Sequence, residues 1–113
     1  ILSAESMGSK VSYEWIDLAP GAEVSEEAER FMRKGILEVY GEEGCTGPLY
    51  TTGSDDFHYY TVKRTHLKAV MLGLGANLQP GLHHPYMKFD HSCIMDGVEI
   101  LKQTVLKVLE DRG

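Results

Sequence analysis

The stretch Leu67-Lys68-Ala69-Val70-Met71-Leu72-Gly73-Leu74 decides how the chain reads as a fold. It is nearly all apolar and flanked by glycine, the pattern of a strand buried on both faces of a parallel sheet. Upstream, residues 11–16 put Val11, Tyr13 and Trp15 on one side of an extended chain and Ser12 and Glu14 on the other, which predicts a half-buried strand. Pro20 and Gly21 break the chain before Ser25 and the acids Glu26, Glu27 and Glu29 supply a cap and a favourable charge for a helix N-terminus. Ala28, Phe31, Met32, Gly35, Ile36 and Val39 continue at helical spacing, and Gly41 can close that helix after Tyr40. Residues 42–53 read as a loop with a brief strand at Leu49, Tyr50, Thr51 and Thr52. Ser54, Asp55 and Asp56 open a second helix over 55–64. After Ser92, Ile94, Val98, Leu101, Val105, Val108 and Leu109 recur at spacings of three and four, predicting a terminal amphipathic helix.

Strands thus alternate with helices, and the expected fold class is α/β with a mostly parallel sheet. Three strands make a small sheet for this much apolar surface, so the expectation is part of a larger layer. The chain also opens on Ile1 rather than Met, which fits a fragment.

With 113 residues there is room for one modest core. Composition is that of a globular protein, 42% hydrophobic and 25% charged. The net charge of -6, with no cluster of basic residues, argues against nucleic acid as a partner. No apolar run approaches the roughly 20 residues that cross a bilayer, and no basic-then-apolar leader opens the chain, so the reading is cytoplasmic with no membrane partner. Cys45 and Cys93 form no CxxC pair and are expected to be buried free thiols.

Three groupings could carry chemistry. His83 and His84 lie in a loop with Gly81 and Pro85 beyond the expected central strand, where α/β folds place their sites. Neighbouring side chains on an extended backbone point to opposite sides, so at most one of the two serves a given metal. Gly53, Ser54, Asp55 and Asp56 form a glycine turn running into a helix start, where free amides favour an anion such as a carboxylate, although ordinary capping explains the same residues. If both loops leave strands at one sheet edge, His83 and the 53–56 turn should lie close together. Gly73-Leu74-Gly75 is no dinucleotide fingerprint, because no third glycine opens a helix and Pro80 follows soon after. No Ser or Cys sits in a nucleophile elbow, and His58, His66 and His91 receive no role.

Taken in order, Thr52-Gly53-Ser54-Asp55-Asp56-Phe57-His58-Tyr59-Tyr60, Met71-Leu72-Gly73-Leu74-Gly75, Leu82-His83-His84-Pro85-Tyr86 and Phe89-Asp90 resemble the C-terminal part of the dinuclear metallopeptidase family of aminoacylases, hippurate hydrolases and indole-acetyl-amino-acid hydrolases. That family carries Gly-Ser-Glu-Asp-Phe-x-Tyr-Tyr, an apolar strand ending in Gly-x-Gly, and Leu-His-x-Pro in this order. Two departures are Asp55 in place of Glu, and Arg64-Thr65-His66 where Pro-Gly is usual.

The resemblance implies a zinc-peptidase-like three-layer α/β/α sandwich, of which residues 11–113 would be the C-terminal portion. Residues 1–10 would be a flexible leader or the end of an absent dimerisation domain. It implies hydrolysis of N-acyl-amino acids or small peptides with two divalent metals, zinc or manganese foremost. His83 would be a metal ligand, His84 the variable position, and Gly53, Ser54 and Asp56 substrate contacts. The remaining ligands and the glutamate base would belong to a missing N-terminal half, and no catalytic residue falls in this chain. A homodimer is compatible with it. The rival reading is a non-catalytic α/β interaction module.

Overall fold

The Ser25 side-chain oxygen accepts the Ala28 N–H at 3.4 Å and so satisfies one of the free amides at the start of a long helix. A computed structural model describes residues 2–16 and 19–113 of the chain. In chain order its helices are α1 (Leu2–Ser6), α2 (Glu26–Tyr40), α3 (Tyr59–Lys63) and α4 (Cys93–Arg112), with 3₁₀ turns at Glu42–Gly44 and Asp56–His58. Gly41 ends α2 with φ of 67°, a region costly for any residue with a Cβ, and its N–H donates to the Leu37 carbonyl.

Helices α2 and α4 form the packed unit. Asp96 lies beside the Tyr40 hydroxyl, and the charge of Arg112 reaches Glu27, so the two helices run antiparallel. Met32 of α2 meets Thr104 of α4, whose hydroxyl lies 3.5 Å from the Met32 sulfur, and Phe31, Met32, Cys93 and Ile100 are the buried apolar residues of the described structure. Gly35 and Gly97 are buried with them. The approach is closest at Gly35, where an added Cβ would strike Thr104 Oγ1 and lie 2.8 Å from the Ile100 carbonyl oxygen. Thr104 is itself tied back to the Ile100 carbonyl at 2.8 Å, and Lys107 reaches Glu38 at 3.6 Å on the rim.

The predicted terminal helix is present, but the stripe that predicted it is not the one α2 covers. Ile94, Val98, Leu101, Val105 and Leu109 are each half or more exposed. The contact with α2 is made about 100° around the helix at 3.6 residues per turn, on the face of Cys93, Ile100 and Thr104, while Gly97 meets the Leu74 side chain of the 67–74 stretch.

The expected α/β fold with a parallel sheet is contradicted. Among the described residues there is no strand, and the sole β-bridge is an isolated antiparallel pair, Gln79 with Lys88. Residues 67–74 are not helical, yet their recorded backbone link to a distant segment is the Ser25 N–H donating to the Ala69 carbonyl at 3.1 Å, with Lys68 paired to Glu27. An apolar run expresses a need for burial, whereas a strand also needs a neighbouring backbone to bond with. This stretch lies across the start of α2 and is only half-buried at Ala69, Val70 and Leu72. Residues 11–16 are largely exposed, with Trp15 at 89%, and residues 49–52 are exposed as well. The alternation at 11–16 survives locally, since Tyr13 and Trp15 meet edge to face at 6.5 Å on one side of the chain.

The helix predicted over 55–64 is a 3₁₀ turn running into α3, capped by Asp55 through the Phe57 N–H at 2.8 Å. Residues 2–6 form a one-turn helix, and Ile1 lies outside the described residues. Both cysteines are free; Cys93 is buried as expected and Cys45 only half-buried. The radius of gyration is 19.5 Å, against about 13 Å for a compact chain of this length, so one helix pair carries most of the packing.

Candidate functional site

The segment with His83 is a closed loop over 76–90. Its neck is fastened by the Asp90 N–H donating to the Ala76 carbonyl at 2.8 Å and by reciprocal bonds between Gln79 and Lys88 at 2.9 and 2.8 Å. Nearer the tip, the His84 N–H donates to the Gly81 carbonyl and the Met87 N–H to the His84 carbonyl. His83 stands at the turn with φ of 65°, a conformation that His tolerates better than most residues but that still costs about 1 kcal/mol.

The two neighbouring histidines are placed differently. His84 Nδ1 accepts the Tyr86 N–H at 3.1 Å, and its ring lies 5.9 Å from the Tyr86 ring, so it is held within its own loop. His83 is exposed, and no described residue hydrogen-bonds its ring. Of the pair, His83 has the imidazole left free to meet an outside ligand.

Asp90 fastens this loop to α4. Its Oδ1 accepts both the Ser92 N–H at 2.9 Å and the Ser92 hydroxyl at 2.7 Å, while its carbonyl accepts the Cys93 thiol at 2.9 Å. The Ser92 hydroxyl, then the Ser92 amide, hold the Asp90 carboxyl below its ordinary pKa. A carboxyl lowered by folding stabilises the fold above the ordinary carboxylate range, and that contribution disappears as pH falls through the lowered folded value. Asp90→Asn should accordingly melt below the parent chain at pH 7, with the gap closing as the pH is taken below the ordinary carboxylate range. Thermal melts of both proteins across that range test this, and a gap that stays constant would remove Asp90 from the acid response.

In the 53–56 turn, the Gly53 N–H is taken by Thr51 Oγ1 at 3.1 Å and the Phe57 N–H by Asp55 Oδ1 at 2.8 Å. Two amides are thus satisfied by ordinary local capping, whereas those of Ser54 and Asp56 have no acceptor among the described residues. Asp56 lines an open depression together with Phe57, Tyr59, Tyr60, Lys63 and Arg64. A second depression, of about 900 Å³, lies at the neck of the 76–90 loop and is lined by Asn77, Gln79, Pro80, Tyr86, Lys88, Phe89 and Asp90. The two share no residue, and His83 lines neither. Sequence reasoning gave Lys88, Asn77 and Gln79 no part, because only the cross-loop pairing gathers them.

No group of three or more His, Cys, Asp or Glu side chains comes together among the described residues in a way that could hold a metal. His83 offers one nitrogen where a zinc site uses three or four protein ligands. These residues therefore do not fit a metal by themselves, and no step through a metal is derived from them. Among the described residues no helix is long and apolar enough to cross a membrane.

The model of Peptidase family M20/M25/M40 matches residues 5–107, and the chain belongs to that family. No curated protein and no solved structure matches the chain.

Proposed function

We propose that this chain is the C-terminal segment of a metal-dependent amidohydrolase that cleaves N-acyl-amino acids or small peptides. The observation that carries the reading is His83, a free imidazole at the tip of a loop tied at its neck, in a chain whose family is that of hydrolytic peptidases. In the parent enzyme two divalent metals, zinc or manganese, would polarise the amide carbonyl and activate water. His83 would hold one of them. Gly53, Ser54 and Asp56 would contact the substrate, with the unengaged amides of Ser54 and Asp56 the donors available to it. The other ligands and the general base would come from the N-terminal half of the catalytic domain, and a homodimer and a cytoplasmic setting go with the same reading.

The test is hydrolysis of N-acetyl and N-benzoyl amino acids with added zinc or manganese, first by the chain alone and then with its N-terminal complement. The expected outcome is no turnover by the chain alone and chelator-sensitive turnover by the mixture. Chelator-sensitive turnover by the chain alone would overturn the division of ligands, and an inactive mixture that nonetheless binds metal would overturn the substrate class.

A further inference from the structure

Helix α4 carries an apolar stripe that α2 leaves bare. Ile94, Val98, Leu101, Val105 and Val108 follow one another in alternating steps of four and three, which keeps them in one line along most of the helix. The first four are half or more exposed and Val108 is half-buried, because α2 packs on the neighbouring face, at Ile100 and Thr104. On the side away from α2 the stripe is widened by Met95 and Leu109, 69% and 60% exposed. A strict repeat of four and three is the pattern of a seam between two helices lying side by side at a small crossing angle, where each side chain enters a gap on the other helix. The element such a seam fits is a helix of similar length and the same repeat. Among the described residues α2 is the other helix longer than two turns, and it is already engaged. The side chains of the stripe present roughly 600 Å² per copy, so two copies together would bury about 1,200 Å², which reaches the size of a small specific interface.

We propose that α4 is a self-association surface, pairing antiparallel with α4 of a second copy of this chain. The direction follows from the flanks of the stripe. Antiparallel pairing sets the exposed Met95 of one copy against Leu109 of the other, whereas parallel pairing would lay that flank along Gly97 and Thr104, which are small and already covered. It also opposes the two helix dipoles. At the centre of the seam Leu101 of one copy packs on Val105 of the other, and Val98 on Val108. The two Lys102 side chains meet beside this seam, but each ammonium is already held by its own Glu99 carboxylate at 2.7 Å. Each copy carries a net charge of -6, so the copies repel at long range and added salt should strengthen the pairing by screening that repulsion. The surface uses no residue of the 53–56 turn or the 76–90 loop, so it stands apart from the amidohydrolase reading.

The experiment is sedimentation equilibrium of the 113-residue chain. It should be a dimer with a dissociation constant on the order of 10 μM, tighter as salt is raised. Leu101→Lys places an ammonium in the middle of the seam and should weaken association about a hundredfold or more, as should Val105→Glu. Gln103→Lys adds the same charge on the far side of the helix and should stay within about twofold of the parent chain. Both stripe positions are half exposed in the single copy, so the helical circular dichroism of each variant should match the parent's. Mixing Leu101→Lys with Val105→Glu should bring association back to within about tenfold of the parent, because antiparallel pairing sets the new ammonium against the new carboxylate. A parent chain that stays monomeric to millimolar concentration overturns the proposal whatever the variants do. A mixture of the two variants that stays monomeric overturns the antiparallel pairing. Dispersal of the parent dimer by the N-terminal complement would give the stripe to that half instead of to a second copy.

Discussion

Gly35→Leu should part α2 from α4 and take with it most of the cooperative unfolding of the chain. A Cβ at this position meets Thr104 Oγ1, which can rotate aside, but also the Ile100 carbonyl oxygen at 2.8 Å and the Thr104 nitrogen at 3.0 Å, which belong to the α4 backbone and cannot. Alanine is favoured over glycine inside a helix by about 1 kcal/mol, so Gly35→Ala sets that gain against a small forced separation. Leucine adds three further carbons in the same place, and overpacking of this kind costs about 1–3 kcal/mol or more. That is a large part of the stability that four buried apolar side chains can supply. Gly75 offers the control, since a Cβ there meets nothing within 4 Å and the residue lies outside any helix. Urea titrations followed by helical circular dichroism should show a much lower midpoint for Gly35→Leu and little change for Gly75→Ala. An unshifted Gly35→Leu midpoint would mean that the helix pair is not what holds the chain together.

The second large effect concerns chemistry. In the intact parent enzyme, His83→Ala should reduce kcat/KM about a thousandfold, on the order of 4 kcal/mol of barrier, while His84→Ala stays within about fivefold. The contrast follows from what each ring does in the loop. His84 Nδ1 is engaged by the Tyr86 N–H, so truncating it loosens the turn by one hydrogen bond. His83 contributes no such bond, so beyond the modest added strain of alanine at φ of 65° the loss would fall on the metal it is proposed to hold. Metal content measured beside the kinetics should drop for His83→Ala alone. Equal losses of activity in the two variants would contradict the assignment.

Helix α2 was legible from its letters almost to the residue, because Ser25, the acids after it and Gly41 each act through local backbone chemistry that needs no partner. The existence of α4 was legible for the same reason, through periodicity. Its contact face was not, since the approach to α2 is made where Gly35 meets Thr104 and the Ile100 carbonyl, and a count of apolar residues passes over a glycine and a threonine. The sheet expected around residues 67–74 was misread because apolar letters say that a segment seeks cover and not what provides it. At the candidate site, His83 stood out through its motif, while the neck of its loop did not. Gln79 and Lys88 are nine positions apart and ordinary in type, and only their main-chain pairing brings Asn77, Lys88 and Phe89 around one depression.

The antiparallel pair α2–α4 closes across everything from residue 41 to residue 92, a span with no other paired elements beyond single turns. Holding the ends of so long a tether together costs about 3–4 kcal/mol of chain entropy, and the cost rises only slowly with length. The tether therefore serves mainly to keep α4 at a millimolar-scale local concentration around α2. A protease with access to the exposed segment 46–56 would sever it without touching either helix. The melting point of the intact chain as a monomer would be independent of dilution, but that of the nicked chain would fall as it is diluted, because its two halves would then meet as separate molecules.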